Sequence, residues 1–256
     1  MKEWMLLEQN HGFLKTKKWE VAVLPCGATE GHNLHMPYGT DVYEVQMVAD
    51  KSCEIAYKQG ANVICLPTMP FGVNTNHFKV PGGLVCSVTP TTLFKLVGDI
   101  VDSMERQGIR KMLLLNGHGG NELKPILREL HHKHNIFVCM ADFWRIAADV
   151  HKELFKAPGD HADEMETSLG LAFFPEHMRP GTHDAGTVRK TRFAAINDGW
   201  VNITRPWHLA TTNTGAGDPS NASAEKGHKY MEIITQRLGS FLAELAKAPV
   251  DDKFPY

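Results

Sequence analysis

Glu30 and His32 stand two residues apart in Gly27-Ala-Thr-Glu-Gly-His32, Asp41 follows in Gly39-Thr-Asp41, and His118 sits in Asn116-Gly-His-Gly-Gly-Asn121. All four side chains are of types that bind metal ions. In an extended segment a spacing of two puts Glu30 and His32 on one side, where they can grip neighbouring ions. Asp41 is short, carries two oxygens and opens a predicted helix, so it is expected to bridge two cations while capping that helix. The glycines around His118 let the backbone turn sharply and a substrate come close, and the imidazole offers a neutral nitrogen. Mixed carboxylate and imidazole ligands suit zinc, manganese or ferrous iron. A pair of such ions lowers the pKa of a shared water towards neutrality, which predicts metal-dependent hydrolysis.

A third segment, Asp160-His-Ala-Asp-Glu-Met-Glu-Thr-Ser168, adds a histidine among carboxylates. Asp160 is expected to cap the helix that follows, with acidic side chains in its first turn favoured by the dipole. His161 at that helix start is expected to act as a general acid or base, and either Glu166 or Glu164 to complete the second metal. His131, His132 and His134 are set aside as residues at the exposed end of a helix. The loop at 116–121 lacks the Gly-Lys-Ser/Thr ending of a phosphate-binding P-loop.

These segments need elements to hold them. Apolar runs rich in β-branched residues at Glu20–Leu24, Asn62–Leu66, Lys111–Leu115 and Ile136–Met140 predict strands buried on both faces. Between them, Asp41–Gln59, Thr91–Gln107 and Glu122–His134 carry helical spacing, and Gly60 and Gly108 suit left-handed caps. A last helix is expected over Ala222–Ala246. This alternation predicts an α/β fold with a parallel sheet and a single domain spanning residues 1–256. The reactive segments then leave the carboxyl ends of strands, where open α/β sheets bind ligands. The loop Phe71–Gly83 reaches the same edge and brings Asn74 and His77 as candidate substrate-binding residues.

The 256 residues carry a formal charge of -2, which leaves no electrostatic footprint for nucleic acid. No apolar stretch approaches a membrane-spanning length. Five scattered cysteines without Cys-x-x-Cys spacing fit a reducing cytoplasm. The expected partners are a small-molecule substrate and further copies of the chain.

Taken together, Gly27-x-Thr-Glu-x-His32 with Gly39-Thr-Asp41, Phe71-Gly72 with His77 and Pro81-Gly82, Asn116-Gly-His-Gly-Gly-Asn121, His161-Ala-x-Glu-x-Glu-Thr-Ser168, and Gly217-Asp-Pro with Ala224-Glu-Lys-Gly227 resemble the creatininase family of metal-dependent amidohydrolases. The resemblance implies a three-layer α/β/α fold with a mostly parallel central sheet, two divalent ions (Zn, Mn or Fe) and a homo-oligomer, a hexamer by analogy with the trimer of dimers in creatininase. It implies that Glu30, Asp41 and His118 hold one ion and that His32 and Asp41 hold the other. Creatininase carries an aromatic residue and a glutamate where this chain has Gly119 and Gly120. Glu166, or alternatively Glu164, is therefore expected to replace the missing ligand. His161 and Glu164 are the expected catalytic pair, Gly119 and Gly120 the floor of the substrate site and Trp144 a wall. The implied activity is hydrolysis of a small cyclic or linear amide by a metal-activated water. The alternatives are ring opening of a keto-cyclitol or sugar-like substrate, or a non-catalytic ligand-binding homologue.

Overall fold

The computed structural model describes residues 1–256. Four strands, β1 (Val21–Cys26), β2 (Val63–Cys65), β3 (Lys111–Asn116) and β4 (Phe137–Asp142), pair in parallel in the order β2-β1-β3-β4. β1 runs past its predicted end at Leu24 and takes in Pro25, although proline cannot donate to a ladder. The Pro25 carbonyl accepts from Met69, on the β2 side, at a level where β2 has already ended. The missing N–H therefore faces no strand, and the β3 side stays paired through Cys26.

Five longer helices form, α1 (Thr40–Lys58), α2 (Pro90–Arg106), α3 (Ile126–Lys133), α4 (Glu164–Phe173) and α5 (Ala224–Lys247), and all but α4 follow the sequence periodicity. Thr89 caps α2 and Ser223 caps α5 through their side-chain oxygens, and Gly60 and Gly108 adopt the left-handed backbone that ends α1 and α2. Two expectations fail here. α3 starts at Ile126 rather than Glu122, because Gly119–Asn121 form a 3-10 turn and Glu122 is itself left-handed, at φ 42°. The cap of α4 is Asp163, whose Oδ1 accepts from the N–H groups of Met165 and Glu166, and not Asp160, which lies in a strand.

Alternate strand residues divide the interior into two cores. Val21, Val23, Val63, Cys65, Leu113 and Leu115 pack with α1, α4 and α5. Ala22, Leu24, Ile64, Leu66, Met112 and Leu114 pack with α2 and α3. The three-layer α/β/α expectation holds, and the period of two along each strand is its cause. Lys111 at the start of β3 ties the far end of α5 to the sheet, its Nζ donating to the carbonyls of Leu245, Ala246 and Ala248 at 2.6, 2.8 and 2.6 Å. No helix is long and apolar enough to cross a membrane.

β1 connects outward to β2 on one side and β3 lies on its other side, so the strand order reverses between β1 and β3. That is the switch point at which open α/β sheets form a crevice. A small antiparallel pair absent from the sequence reading, β5 (Gly159–His161) with β6 (Ala216–Gly217), carries Asp160 and His161 to the same rim.

Candidate metal centre

Glu30, His32 and Asp41 come from the segment after β1, His118 from the turn after β3, and His161 and Glu166 from β5 and α4. All six are buried. Asp41 lies between the others: Oδ1 is 2.9 Å from His32 Nε2 and Oδ2 is 3.1 Å from His118 Nδ1. Glu30 Oε1 is 3.0 Å from His118 Nδ1 and 3.7 Å from His161 Nδ1, and Oε2 is 3.0 Å from His77 Nε2. Glu166 Oε2 approaches His32 Nε2 at 3.9 Å. Three groups of ligand types result: Glu30 with Asp41 and His118, His32 with Asp41 and Glu166, and Glu30 with His32 and His161.

The imidazoles are oriented by the backbone. His32 Nδ1 faces the Glu30 carbonyl at 3.1 Å, His118 Nε2 the Val73 carbonyl at 3.2 Å, and His161 Nε2 the Gly31 carbonyl at 2.9 Å. A carbonyl only accepts, so each of these nitrogens carries a proton and donates it. The opposite nitrogen of each ring points into the carboxylates, the arrangement typical of metal-ligating histidines. Both Glu30 oxygens, His32 Nε2, Asp41 Oδ2 and His77 Nε2 are buried without hydrogen-bond geometry to any partner, although they lie within ion-pair distance of one another. Close polar atoms that do not hydrogen-bond fit a cation held between them, since buried polar groups otherwise find partners.

The electrostatics are those of a crowded buried cluster. Burial opposes charge on Glu30, yet His118 and His161 hold its carboxyl well below the usual carboxylate range. Burial likewise opposes charge on Asp41, and His32 holds its carboxyl down. Burial would keep His32 neutral, but Asp41 lifts it to about 9. His118 is raised well above its ordinary value by Glu30 against the same burial. Burial, reinforced by His32, depresses His161 to about 4. Burial pushes the Glu166 carboxyl up to about 8.

Above the cluster opens a cleft of about 650 Å³, lined by Gly119, Gly120, Trp144 and Trp207 among others. Gly120 is required by proximity: a Cβ there would lie 2.4 Å from the Val73 carbonyl and 2.5 Å from His118 Nε2. Four expectations are corrected by the geometry. Glu164 Oε2 accepts from the N–H groups of Lys156 and Ala157, both at 2.9 Å, and Oε1 is paired with Lys226, so this carboxylate ties down a neighbouring loop away from the cleft. Asp41 does not cap α1, whose N-cap is Gly39 without a side-chain bond; both of its oxygens face histidines. Asn74 does not line the cleft but is wholly buried, donating to the Thr29 carbonyl. His77 is also buried and not part of the cleft lining, with its Nε2 3.0 Å from Glu30 Oε2.

Sequence reasoning missed Trp207, whose ring lies 4.7 Å from both His77 and His161, and Arg205, whose guanidinium sits 4.7 Å over Trp207. Arg205 stands in an irregular segment and Trp207 opens a short helix, Trp207–Ala210, with no periodicity to mark either. The one available signal was that a long loop in a compact domain tends to carry function.

The chain matches known proteins in sequence and in fold. The family model described as creatinine amidohydrolase matches residues 11–242. A 3-dehydro-scyllo-inosose hydrolase of Thermotoga maritima is 29% identical over 269 residues, covering 94% of this chain and 82% of that protein. A creatinine amidohydrolase of Pseudomonas putida is 27% identical, covering 88% and 89% of the two chains. A Bacteroides fragilis crystal structure superposes with a TM-score of 0.90 at 33% identity, over 98% of this chain and all of that one. The chain belongs to the creatininase family, and its family membership makes it a hydrolase.

Proposed function

We propose that the protein is a dinuclear metal-dependent hydrolase that cleaves a small cyclic or linear amide. The observation that carries this reading is the set of three imidazoles, each anchored by a backbone carbonyl and each turning its free nitrogen towards shared carboxylates. Glu30, Asp41 and His118 would hold one ion, and His32, Asp41 and Glu166 the other, with Asp41 common to both. Solved structures of creatininase include a Zn-Zn form of a point mutant and an Mn form, and this donor set suits either metal. When bound, such ions acidify water and polarise a substrate carbonyl.

The protein's own residues do the rest. His77 keeps Glu30 aimed inward, and Trp207 packs on His77 and His161. His161 Nε2 is committed to the Gly31 carbonyl, which leaves Nδ1 as a proton acceptor turned towards Glu30. Burial favours the neutral ring, and Nδ1 beside the carboxylates is placed to take a proton from the attacking water and deliver it to the leaving nitrogen. Gly119 and Gly120 leave room for the substrate above His118.

A second reading, hydrolytic opening of a ring ketone, is favoured by the Thermotoga maritima relative and by the polar lining of the cleft. The same proton path then serves a departing carbon. Products separate the two, because only amide cleavage frees an amine.

The test is elemental analysis of the purified wild type beside Asp41→Ala, with activity on small cyclic amides and ring ketones. About two ions per chain in the wild type and near-complete loss of metal and turnover in the variant are expected. A variant that keeps its metal and its activity overturns the reading.

A further inference from the structure

Beyond the metal cluster the cleft has an outer wall whose chemistry bears on the substrate. Arg205 donates from Nη1 to Asp160 Oδ1 at 2.9 Å and from Nη2 to Asp160 Oδ2 at 2.6 Å, a bidentate pair. Both residues line the cleft. The pair is held from below, with the guanidinium over Trp207 and the Arg205 carbonyl accepting from Asn76 Nδ2 at 3.1 Å. Trp207 in turn packs on His161, so the wall is connected to the reactive floor.

Side-chain exposures of 33% for Arg205 and 59% for Asp160 leave the pair partly in solvent and open to the cleft. It keeps spare capacity. Two of the five guanidinium N–H groups are used by Asp160, and each carboxylate oxygen has a further lone pair. Spare donors and spare acceptors thus stand side by side, with the charges cancelled. Elsewhere in the lining the carboxyls of Glu30, Asp41, Glu122, Asp163 and Glu166 face no other Lys or Arg. Two divalent ions would neutralise most of that charge, and no surplus positive field remains to hold an anion.

We infer that the Arg205–Asp160 pair is the specificity-determining element of the cleft and that it reads adjacent hydroxyl groups on a neutral ring whose carbonyl lies over the metal cluster. A hydroxyl donates and accepts at once, so a row of them meets this wall without an unpaired group. An unhydroxylated ring leaves the wall unsatisfied as it displaces water, a cost that discriminates strongly. The inference rests on the proposed hydrolase reading and holds whether nitrogen or carbon leaves.

The experiment uses the metal-loaded full chain and two probes, 2-keto-myo-inositol, a ring ketone bearing hydroxyls, and cyclohexanone, the same ring without them. Binding is followed by calorimetry in the wild type, Asp160→Asn and Arg205→Lys, with metal content and circular dichroism recorded for each. The expected result is saturable binding of the polyol ketone to the wild type, weakened about tenfold or more in each variant at unchanged metal content, and no preference for cyclohexanone. Equal affinity in wild type and variants, a preference for cyclohexanone, or no polyol binding by a chain that carries its metal overturns the inference and leaves the hydrolase reading standing. A wild type that takes up no divalent metal overturns both, and the metal measurement tells the two failures apart.

Discussion

The floor of the cleft and its outer wall are built from opposite materials. On the floor, Glu30, His32 and His118 follow the ends of two adjacent parallel strands and Asp41 opens α1; all four are almost fully buried, and the two imidazoles are fixed by the backbone. On the wall, Asp160 and Arg205 come from a short antiparallel pair and an irregular segment, and both stay partly in solvent. Groups that must meet a reacting atom need positions set by rigid elements, whereas groups that select a substrate can sit on loops. Reaction and selection are therefore separable in this fold, and the metal content of variants measures one without the other.

The largest effect should come from crowding the floor. Gly120→Ala forces a methyl group into the Val73 carbonyl and the His118 ring, and is expected to weaken metal binding by about 10–100-fold, read by competition with a chelator. Gly119→Ala, whose methyl group meets nothing within 4 Å, should leave metal affinity unchanged. If both alanines behave alike, the floor is less rigid than its geometry implies.

A smaller effect is expected from Glu164→Gln. Its carboxylate ties the loop at Lys156 and Ala157 and pairs with Lys226, so the variant should lose about 1–3 kcal/mol of stability to urea while keeping its metal. Loss of metal in this variant would return Glu164 to the reactive floor and blur the comparison.

The subtlest test concerns Glu44, buried beneath the floor with neither carboxylate oxygen hydrogen-bonded. Burial, with Glu166, Asp41 and Asp163 adding to it, raises its pKa in the folded protein well above 4.5. The unfolded chain ionises it above about 4.5, and its contribution to stability is full below that pH and is lost as pH rises towards the folded pKa. In metal-stripped protein, Glu44→Gln should flatten the fall in stability that sets in as pH rises above about 4.5, measured by urea unfolding. An unchanged slope would mean that another group carries that dependence.

Much of the floor was readable from the chain alone. Glu30 and His32 are two apart in an extended segment, and Asp41 and His118 follow strands whose apolar runs mark them as buried; each inference is local. The wall was not readable, since Asp160 and Arg205 are 45 residues apart and nothing near either one indicates the other. The approach of His77 to Glu30 was not readable for the same reason, since it joins two loops far apart in the chain.

By itself the sequence determined the layered α/β architecture and the ligand types, because hydrophobic period and residue chemistry are properties of neighbouring positions. Only the tertiary structure decided which of Glu164 and Glu166 faces the cluster of histidines and carboxylates. Two residues apart on an α-helix they point about 200° from one another, so just one can face the cleft. The phase of α4 is set by packing Met165 and Leu169 into the core shared with α1 and α5, far away in the chain. That packing turns Glu166 towards His32 and Glu164 towards Lys226.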